Sequence, residues 1–175
     1  MRTAALVAAR FLKSSPEVFG VLVPSLEKTL RATTEPEERR ATAAIALGEL
    51  TVTTSVPLLL ATVESADVPV KTAAIAALRH VTLQDFGDEV AKWDRWWAKN
   101  GDRDRAECLM DALTHAAPDI RAQAIRELSP VLPFDVSKFE SLSEAGRVAL
   151  QDRCRAWWKG DRSDRPGPLD RDGRA

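Results

Sequence analysis

The stretch PLLLATVESADVPVKTAAIAALRHVTL, at residues 57–83, has the clearest helical pattern in this chain. Its second half places apolar residues at i, i+3, i+4, i+7, i+8 and i+11, which is one face of an α-helix. The residues of this face are Val70, Ala73, Ala74, Ala77, Leu78 and Val81. Its first half predicts a shorter apolar helix, opened by Pro57 at a position where a missing N–H is harmless. Two short helices cannot bury both apolar faces alone, so the pattern predicts that further copies pack against this pair.

The second helix of this pair recurs along the chain. VKTAAIAAL at residues 70–78 aligns with IRAQAIREL at 120–128, RRATAAIAL at 39–47 and MRTAALVAA at 1–9. Every copy has a cation at its second position, namely Arg2, Arg40, Lys71 and Arg121. An apolar segment followed by turn-forming residues precedes the last three copies, so whole helix pairs repeat.

The repeated pattern resembles the short bacterial form of the HEAT repeat, V-R-x-x-A-A-x-x-A-L after an apolar helix and a turn. The resemblance covers about residues 1–132 and implies an all-α fold, a right-handed α-solenoid of the armadillo-like kind. We expect a repeat domain over residues 1–160, with a half repeat at 1–13 and repeats at about 16–51, 54–101 and 102–160. Many HEAT repeats carry an Asp six residues before the Arg, and this chain lacks it, so packing of Ala and Leu faces must hold the repeats together.

A tryptophan-rich segment, LQDFGDEVAKWDRWWAKNGDR, follows Val81 and lengthens the next repeat. Phe86, Val90, Trp93 and Trp97 fall at i, i+4, i+7 and i+11, which predicts an extra helix over residues 88–99 with one aromatic face. This segment resembles an F-G…W-x-x-W-W insert of some bacterial HEAT-like proteins. A second tryptophan pair ends another expected helix, from about residue 142 to 159.

The two ends of the chain differ from its middle. Residues 161–175 alternate Asp with Arg among Gly and Pro and have no apolar period, which predicts a disordered tail. Residues 2–12 match the second helix of a repeat better than they match a signal peptide. We therefore expect either a piece of a longer array or an open N-terminal helix face that makes end-to-end contact with another subunit.

Net charge limits the partners that we expect, and cysteine content limits the expected compartment. The net charge is −1, so the chain has no overall field to attract nucleic acid or an anionic membrane. No apolar run reaches the length of a membrane span. The 2 cysteines do not form a disulfide framework, and this usage fits a reducing compartment. We expect a cytoplasmic protein with no nucleic-acid or membrane partner.

The row of cations is the first candidate binding site. In stacked HEAT-like repeats the second helices line the concave surface, so Arg40, Lys71 and Arg121 would face a common groove and bind an acidic or phosphate-bearing partner. The alternative is that each cation packs within its own inter-helix turn, pairs with a local residue such as Asp67 or Asp119, and serves the repeat itself.

The tryptophans form a second candidate. Trp93 and Trp97 share the aromatic face, so we expect them in the core rather than in a stacking site. Trp96 lies off that face and is the tryptophan we expect to contact a partner. Trp157 and Trp158 are expected to cap the last repeat.

Sites for catalysis, cofactors and metals find little support. Metal binding would need His80, His115, Cys108 and Cys154 to converge, yet no metal-ligand spacing connects them. The chain has no nucleophile elbow and no phosphate-binding glycine loop. We expect no enzyme activity, no cofactor and no metal.

The sequence therefore favours a protein-binding or scaffolding module that acts through the groove of the solenoid. Two other functions stay open through resemblance alone. One is that of the HEAT-like phycobilin lyases, or of a chaperone-like subunit. The other is DNA binding, as in the HEAT-like DNA glycosylases, although their strongly basic concave faces fit a near-neutral chain poorly.

Overall fold

A computed structural model describes residues 16–160 of the chain, and every regular element in that range is a helix. The all-α prediction is confirmed for these residues. The half repeat at 1–13, Arg2 and the tail at 161–175 lie outside them. The chain divides into two compact units, Met1–Asp102 and Arg103–Ala175, and each is considered by itself.

The described residues form eight α-helices and two short 3₁₀ turns, at Thr53–Ser55 and Phe139–Ser141. The helices of the first unit are α1 (Pro16–Arg31), α2 (Glu37–Glu49), α3 (Val56–Ser65), α4 (Val68–Thr82) and α5 (Val90–Asn100). The helices of the second unit are α6 (Arg105–Ala112), α7 (Pro118–Leu128) and α8 (Glu144–Lys159).

The first unit contains two helix pairs, α1 with α2 and α3 with α4. The pairs contact each other through equivalent helices, because α2 packs along α4 and α1 packs against α3. The apolar face predicted for α4 is buried, and its most enclosed members, Val70, Ala74 and Leu78, have no exposed surface. The predicted helix pair at residues 57–83 is thus present, at the centre of this unit's core.

Small residues let α2 and α4 approach closely. Ala44 and Ala74 are fully buried. A Cβ atom added to Gly48 would lie 2.7 Å from the Cα of Ala77, closer than real Cβ atoms come to backbone. The Ala-rich stretches of the two helices therefore act as packing surfaces that accept no larger side chain without movement of a helix.

Helix α1 departs from the repeat alignment. The segment Val23-Pro24 aligns with Val56-Pro57, where α3 begins, yet α1 begins at Pro16 and carries Pro24 in its interior. A proline inside a helix removes one backbone hydrogen bond and crowds the preceding turn. The buried contacts of Leu30 and the neighbouring apolar side chains of α1 with the core offset this cost.

The tryptophan-rich segment folds as predicted, with α5 at Val90–Asn100. Trp93 is 1% exposed, packs edge-to-face on Phe86 with ring centroids 4.9 Å apart, and donates its indole N–H to the carbonyl of Gly87 at 2.9 Å. The core role predicted for Trp93 is therefore confirmed. Leu83 ends α4 in the left-handed conformation, and Gly87 adopts it again at φ 56°. These two residues reverse the chain so that α5 returns onto α3.

Gly87 gives a direct test of this turn. Replacing it with alanine is expected to lower the free energy of unfolding by about 1 kcal/mol, because a Cβ atom disfavours positive φ. No atom lies within 4 Å of that Cβ, so backbone strain is the only cost. The control is Gly20→Ala in α1, where the Cβ also meets nothing. It should instead gain up to about 1 kcal/mol in helix propensity. Urea unfolding of both variants measures the difference, and equal effects would contradict this account.

In the second unit, α6 packs against both α7 and α8. The side-chain amide of Gln151 on α8 donates to the carbonyl of Met110 at 2.8 Å and to the hydroxyl of Thr114 at 3.0 Å. These bonds satisfy polar groups at the C-terminal end of α6, where a helix lacks its own donors. The segment between α7 and α8 buries Val136 and Phe139.

A partly buried ion pair joins α6 to α7. Arg105 is 4% exposed, and its Nε and Nη2 bond both carboxylate oxygens of Glu127 at 2.9–3.1 Å. Gln123 donates to the same carboxylate at 2.9 Å. No local spacing in the sequence predicts the pairing of Arg105 with Glu127.

Candidate functional site

Arg40, the first residue of the predicted cation row, is 8% exposed on α2. Its Nε donates to the carbonyl of Leu30 at 3.2 Å. Leu30 lies in the last turn of α1, where carbonyl groups lack helical donors. The guanidinium therefore ties the two helices of one pair together.

Arg121 has the equivalent role in the second unit. Its Nη1 donates to the carbonyls of His115 and Ala116 at 2.8 and 2.9 Å, in the turn that precedes α7. Its Nε and Nη2 bond the carboxylate of Glu140 at 2.9 and 3.1 Å. These bonds to Arg121 lower the pKa of Glu140 and raise that of Arg121.

Lys71 is the most accessible of the three cations. Its side chain is 35% exposed and its ammonium lies 3.7 Å from the carboxylate of Asp88, in the turn before α5. All three cations thus have partners within their own units, although Asp88, the partner of Lys71, lies outside the pair of α3 and α4. Their part in partner binding stays a prediction, and Lys71 has the most surface with which to fulfil it.

The tryptophans of α5 lie at different depths. Trp96 and Trp97 are both half-buried, with ring centroids 6.4 Å apart. Trp97 packs partly against the core, as its place on the aromatic face predicts, but it also lines a surface cleft. Contact of Trp96 with a partner stays a prediction, and Trp97 joins it as a candidate.

The cleft beside Trp97 lies between α3 and α5 and has a volume of about 210 Å³. Each helix lines it with side chains spaced as on one helical face. Helix α3 contributes Pro57, Leu60, Ala61 and Glu64, and helix α5 contributes Val90, Asp94 and Trp97. We call it the α3/α5 cleft.

Two carboxylates accompany the apolar lining of the α3/α5 cleft. Glu64 and Asp94 are both exposed, one on each helix. Neither has a salt-bridge partner among residues 16–160. The surface therefore combines an indole and small aliphatic groups with negative charge that no neighbouring cation of the described chain neutralises.

A second cleft, of about 190 Å³, lies between α6 and α8 and has mixed charge. Its lining residues are Arg103, Glu107, Met110, Asp111, Arg155, Trp158 and Lys159. Asp111 is bonded from both sides, by Arg155 at 2.7 Å and by Arg103 at 2.8 Å. These contacts occupy the carboxylate, so this cleft is a network of internal ion pairs.

The electrostatics of Asp111 follow from that network. Partial burial alone would raise its pKa, but the hydrogen bonds from Arg155 and Arg103 outweigh burial, and the pKa lies below its usual range. A carboxyl held in its ionised, bonded form is poorly suited to general acid–base chemistry near neutral pH.

Asp111→Asn is expected to reduce stability in a pH-dependent way. A pKa lower in the folded than in the unfolded chain stabilises the fold above the unfolded pKa of about 3.9. This stabilisation is lost as the pH falls through the folded pKa. The stability difference between the natural chain and the variant should be greatest near neutral pH and shrink in acid. Urea unfolding across that range tests this, with the exposed Glu38→Gln as the control. A constant difference would contradict it.

Residues 16–160 contain neither an activated thiol nor a cluster of metal ligands. Burial raises the pKa of Cys108 and of Cys154, so both stay protonated and weakly nucleophilic at neutral pH. Both cysteines are free. Within residues 16–160, no group of three or more His, Cys, Asp or Glu side chains could hold a metal ion.

Sequence reasoning missed the α3/α5 cleft for a physical reason. Periodicity places Trp97 on the aromatic face of α5, but it does not show where two helices leave a gap. The available signal was the spacing of Ala61 and Glu64 after Pro57, which places a small and an acidic residue on one side of α3.

Comparison with family models, curated proteins and solved structures finds no match to this chain. Between residues 16 and 160, no helix is both long and apolar enough to cross a membrane.

Proposed function

We propose that this chain is a HEAT-like helical-repeat module, an α-solenoid that binds another protein and carries out no catalysis. The observation that carries the proposal is the packing of equivalent helices in the first unit, α2 on α4 and α1 on α3. Repeats that stack in this way bury their shared faces against each other and leave long outer surfaces for partners.

The clefts support a protein partner over a cofactor. Their volumes, about 190 and 210 Å³, lie below the roughly 300–1,000 Å³ of typical small-molecule pockets. A cleft of this size accepts one or two side chains of a partner more readily than a tetrapyrrole. Neither of these two clefts therefore supports the phycobilin lyase alternative.

The charges weigh against DNA binding. The net charge is −1, and the α3/α5 cleft carries two carboxylates that would repel phosphate. A DNA-binding assay at low and moderate salt tests this alternative, and tight, salt-sensitive binding would support it.

The function itself is tested by affinity capture with the full chain in extracts of its source cells, under the reducing conditions of the cytoplasm. Each captured protein is then purified and titrated against the chain by calorimetry. A saturable complex of fixed stoichiometry is the expected result. Failure of every purified candidate to bind would contradict the proposal.

Lys71→Glu is the matching variant for the cation row. Lys71 is partly exposed and its ion pair is a surface one, so the melting temperature should change little. Weaker partner binding with unchanged melting would place Lys71 in the interface. Arg121→Glu is unsuitable for this purpose, since it would break bonds that hold α7 in place.

A further inference from the structure

We propose that the α3/α5 cleft is a docking site for a basic peptide segment of a partner protein, which inserts an apolar side chain beside Trp97 and places Lys or Arg residues near Glu64 and Asp94. This inference rests on the proposed protein-binding function and names the chemistry of the partner.

The apolar part of the cleft provides the anchor site. Leu60 and Val90 are largely withdrawn from water, while Ala61 is exposed and leaves open space above it. The half-buried indole of Trp97 forms one wall. Tryptophan in a partly dehydrated pocket is the side chain that most often dominates binding energy at protein interfaces. The volume of about 210 Å³ suits one large side chain or two small ones.

The charged part of the cleft selects a partner segment of positive charge. Glu64 and Asp94 stand on opposite helices, so carboxylates flank the apolar lining from both sides. None of the three cations of α5 forms a salt bridge with these carboxylates, and Lys92 is paired with Glu89 instead. An acidic or phosphorylated segment would be repelled, whereas Lys or Arg flanking the anchor would be attracted.

The shape of the cleft favours a peptide. Two helix faces form its walls, which is the geometry that receives an apolar side chain from an extended or helical segment. A small-molecule ligand would need more volume than the cleft provides.

The test is a selection of displayed random peptides on the full chain. The expected outcome is enrichment of peptides in which an aliphatic or aromatic residue is flanked by Lys or Arg. The best of these peptides is then synthesised and titrated by fluorescence anisotropy. No enrichment, or enrichment of acidic or uncharged peptides, would overturn the inference.

Three variants locate the binding. Glu64→Gln with Asp94→Asn should weaken binding of the selected peptide about three- to tenfold at low salt. The difference in affinity between this variant and the natural chain should narrow at high salt. Ala61→Gln should fill the cleft from an exposed helical position and weaken binding about tenfold or more. Trp97→Ala should have a similar effect, and Ala61→Gln separates that effect from any loss of core packing.

The matched control is Glu37→Gln with Glu38→Gln, which removes the same charge from two exposed residues at the start of α2. It should leave peptide affinity unchanged. Equal effects of the control and the cleft variants would show only general charge attraction and overturn the proposal. Light scattering tests for a second copy as the occupant, and self-association that Ala61→Gln abolishes would likewise overturn it.

Failure of this inference can be distinguished from failure of the protein-binding function. A captured whole protein could bind the natural chain, the Ala61→Gln variant and the double carboxylate variant with equal affinity. That result would exclude the cleft as the docking site and leave the proposed protein-binding function standing. If no captured protein forms a saturable complex with the chain, both the docking site and the protein-binding function are rejected.

Discussion

Replacement of Arg105 by methionine is expected to lower the free energy of unfolding by about 3 kcal/mol. The guanidinium is 4% exposed and bonds both oxygens of Glu127, so its removal takes a cationic partner from a carboxylate that Gln123 also bonds. The expected loss of stability lies near the lower end of the range for breaking a buried ion pair, because the Glu127 side chain is 28% exposed and can turn toward water. Urea unfolding measures the change.

A second variant and a control separate the ion pair from lost packing. Adding Glu127→Gln to Arg105→Met removes the carboxylate charge that Arg105 balances in the natural chain, so the double variant should be more stable than the sum of the two single effects implies. Arg147→Met is the control, since its guanidinium lies 3.9 Å from Glu140 at the surface and should contribute under about 1 kcal/mol. Additive single effects would contradict a coupled pair.

Ala44→Leu is expected to have the second largest effect, a loss of about 3 kcal/mol. Ala44 has no exposed surface, and it lies on α2 with Gly48, whose backbone comes within contact of Ala77 on α4. Three additional carbon atoms in that interface must push the helices apart or force strained rotamers. Ala74→Leu, from the α4 side, should behave alike.

The control for overpacking is Ala61→Leu, which adds the same atoms at an exposed position of α3. It should change thermal stability by less than about 0.5 kcal/mol. Unchanged melting of both Ala44→Leu and Ala74→Leu would contradict the alignment of the repeats as well as the packing of α2 on α4.

Most of the secondary structure could be predicted from residue spacing, because burial on one helix face leaves a period in the sequence. The faces of α4 and α5 are examples, with Leu78 and Trp93 buried as their spacing predicts. The start of α1 could not be predicted in this way. Pro24 aligns with a helix start, but tertiary contacts of α1 keep the helix continuous through it.

The contacts of the candidate site residues were harder to predict from residue spacing. Arg40 and Arg121 were recognisable as equivalent residues, but a repeat position does not show whether a long side chain reaches outward or folds back onto a carbonyl. Both fold back, onto Leu30 and onto His115 with Ala116. Likewise Arg105 and Glu127 lie 22 residues apart, and no local pattern pairs them.

Residue spacing is enough to predict that the described chain is helical, that helix pairs recur, and that alanine-rich faces pack between the pairs. These properties are local, since they depend on the period of apolar residues and on nearby turn residues. Tertiary packing alone placed Arg40 and Arg121 on backbone carbonyls and paired the buried Arg105 with Glu127. It also decided that α3 and α5 leave a cleft with an indole wall and two carboxylates. Each of these depends on the distance between helices, which is set by how side-chain volumes fill the space between them and leaves no period in the sequence.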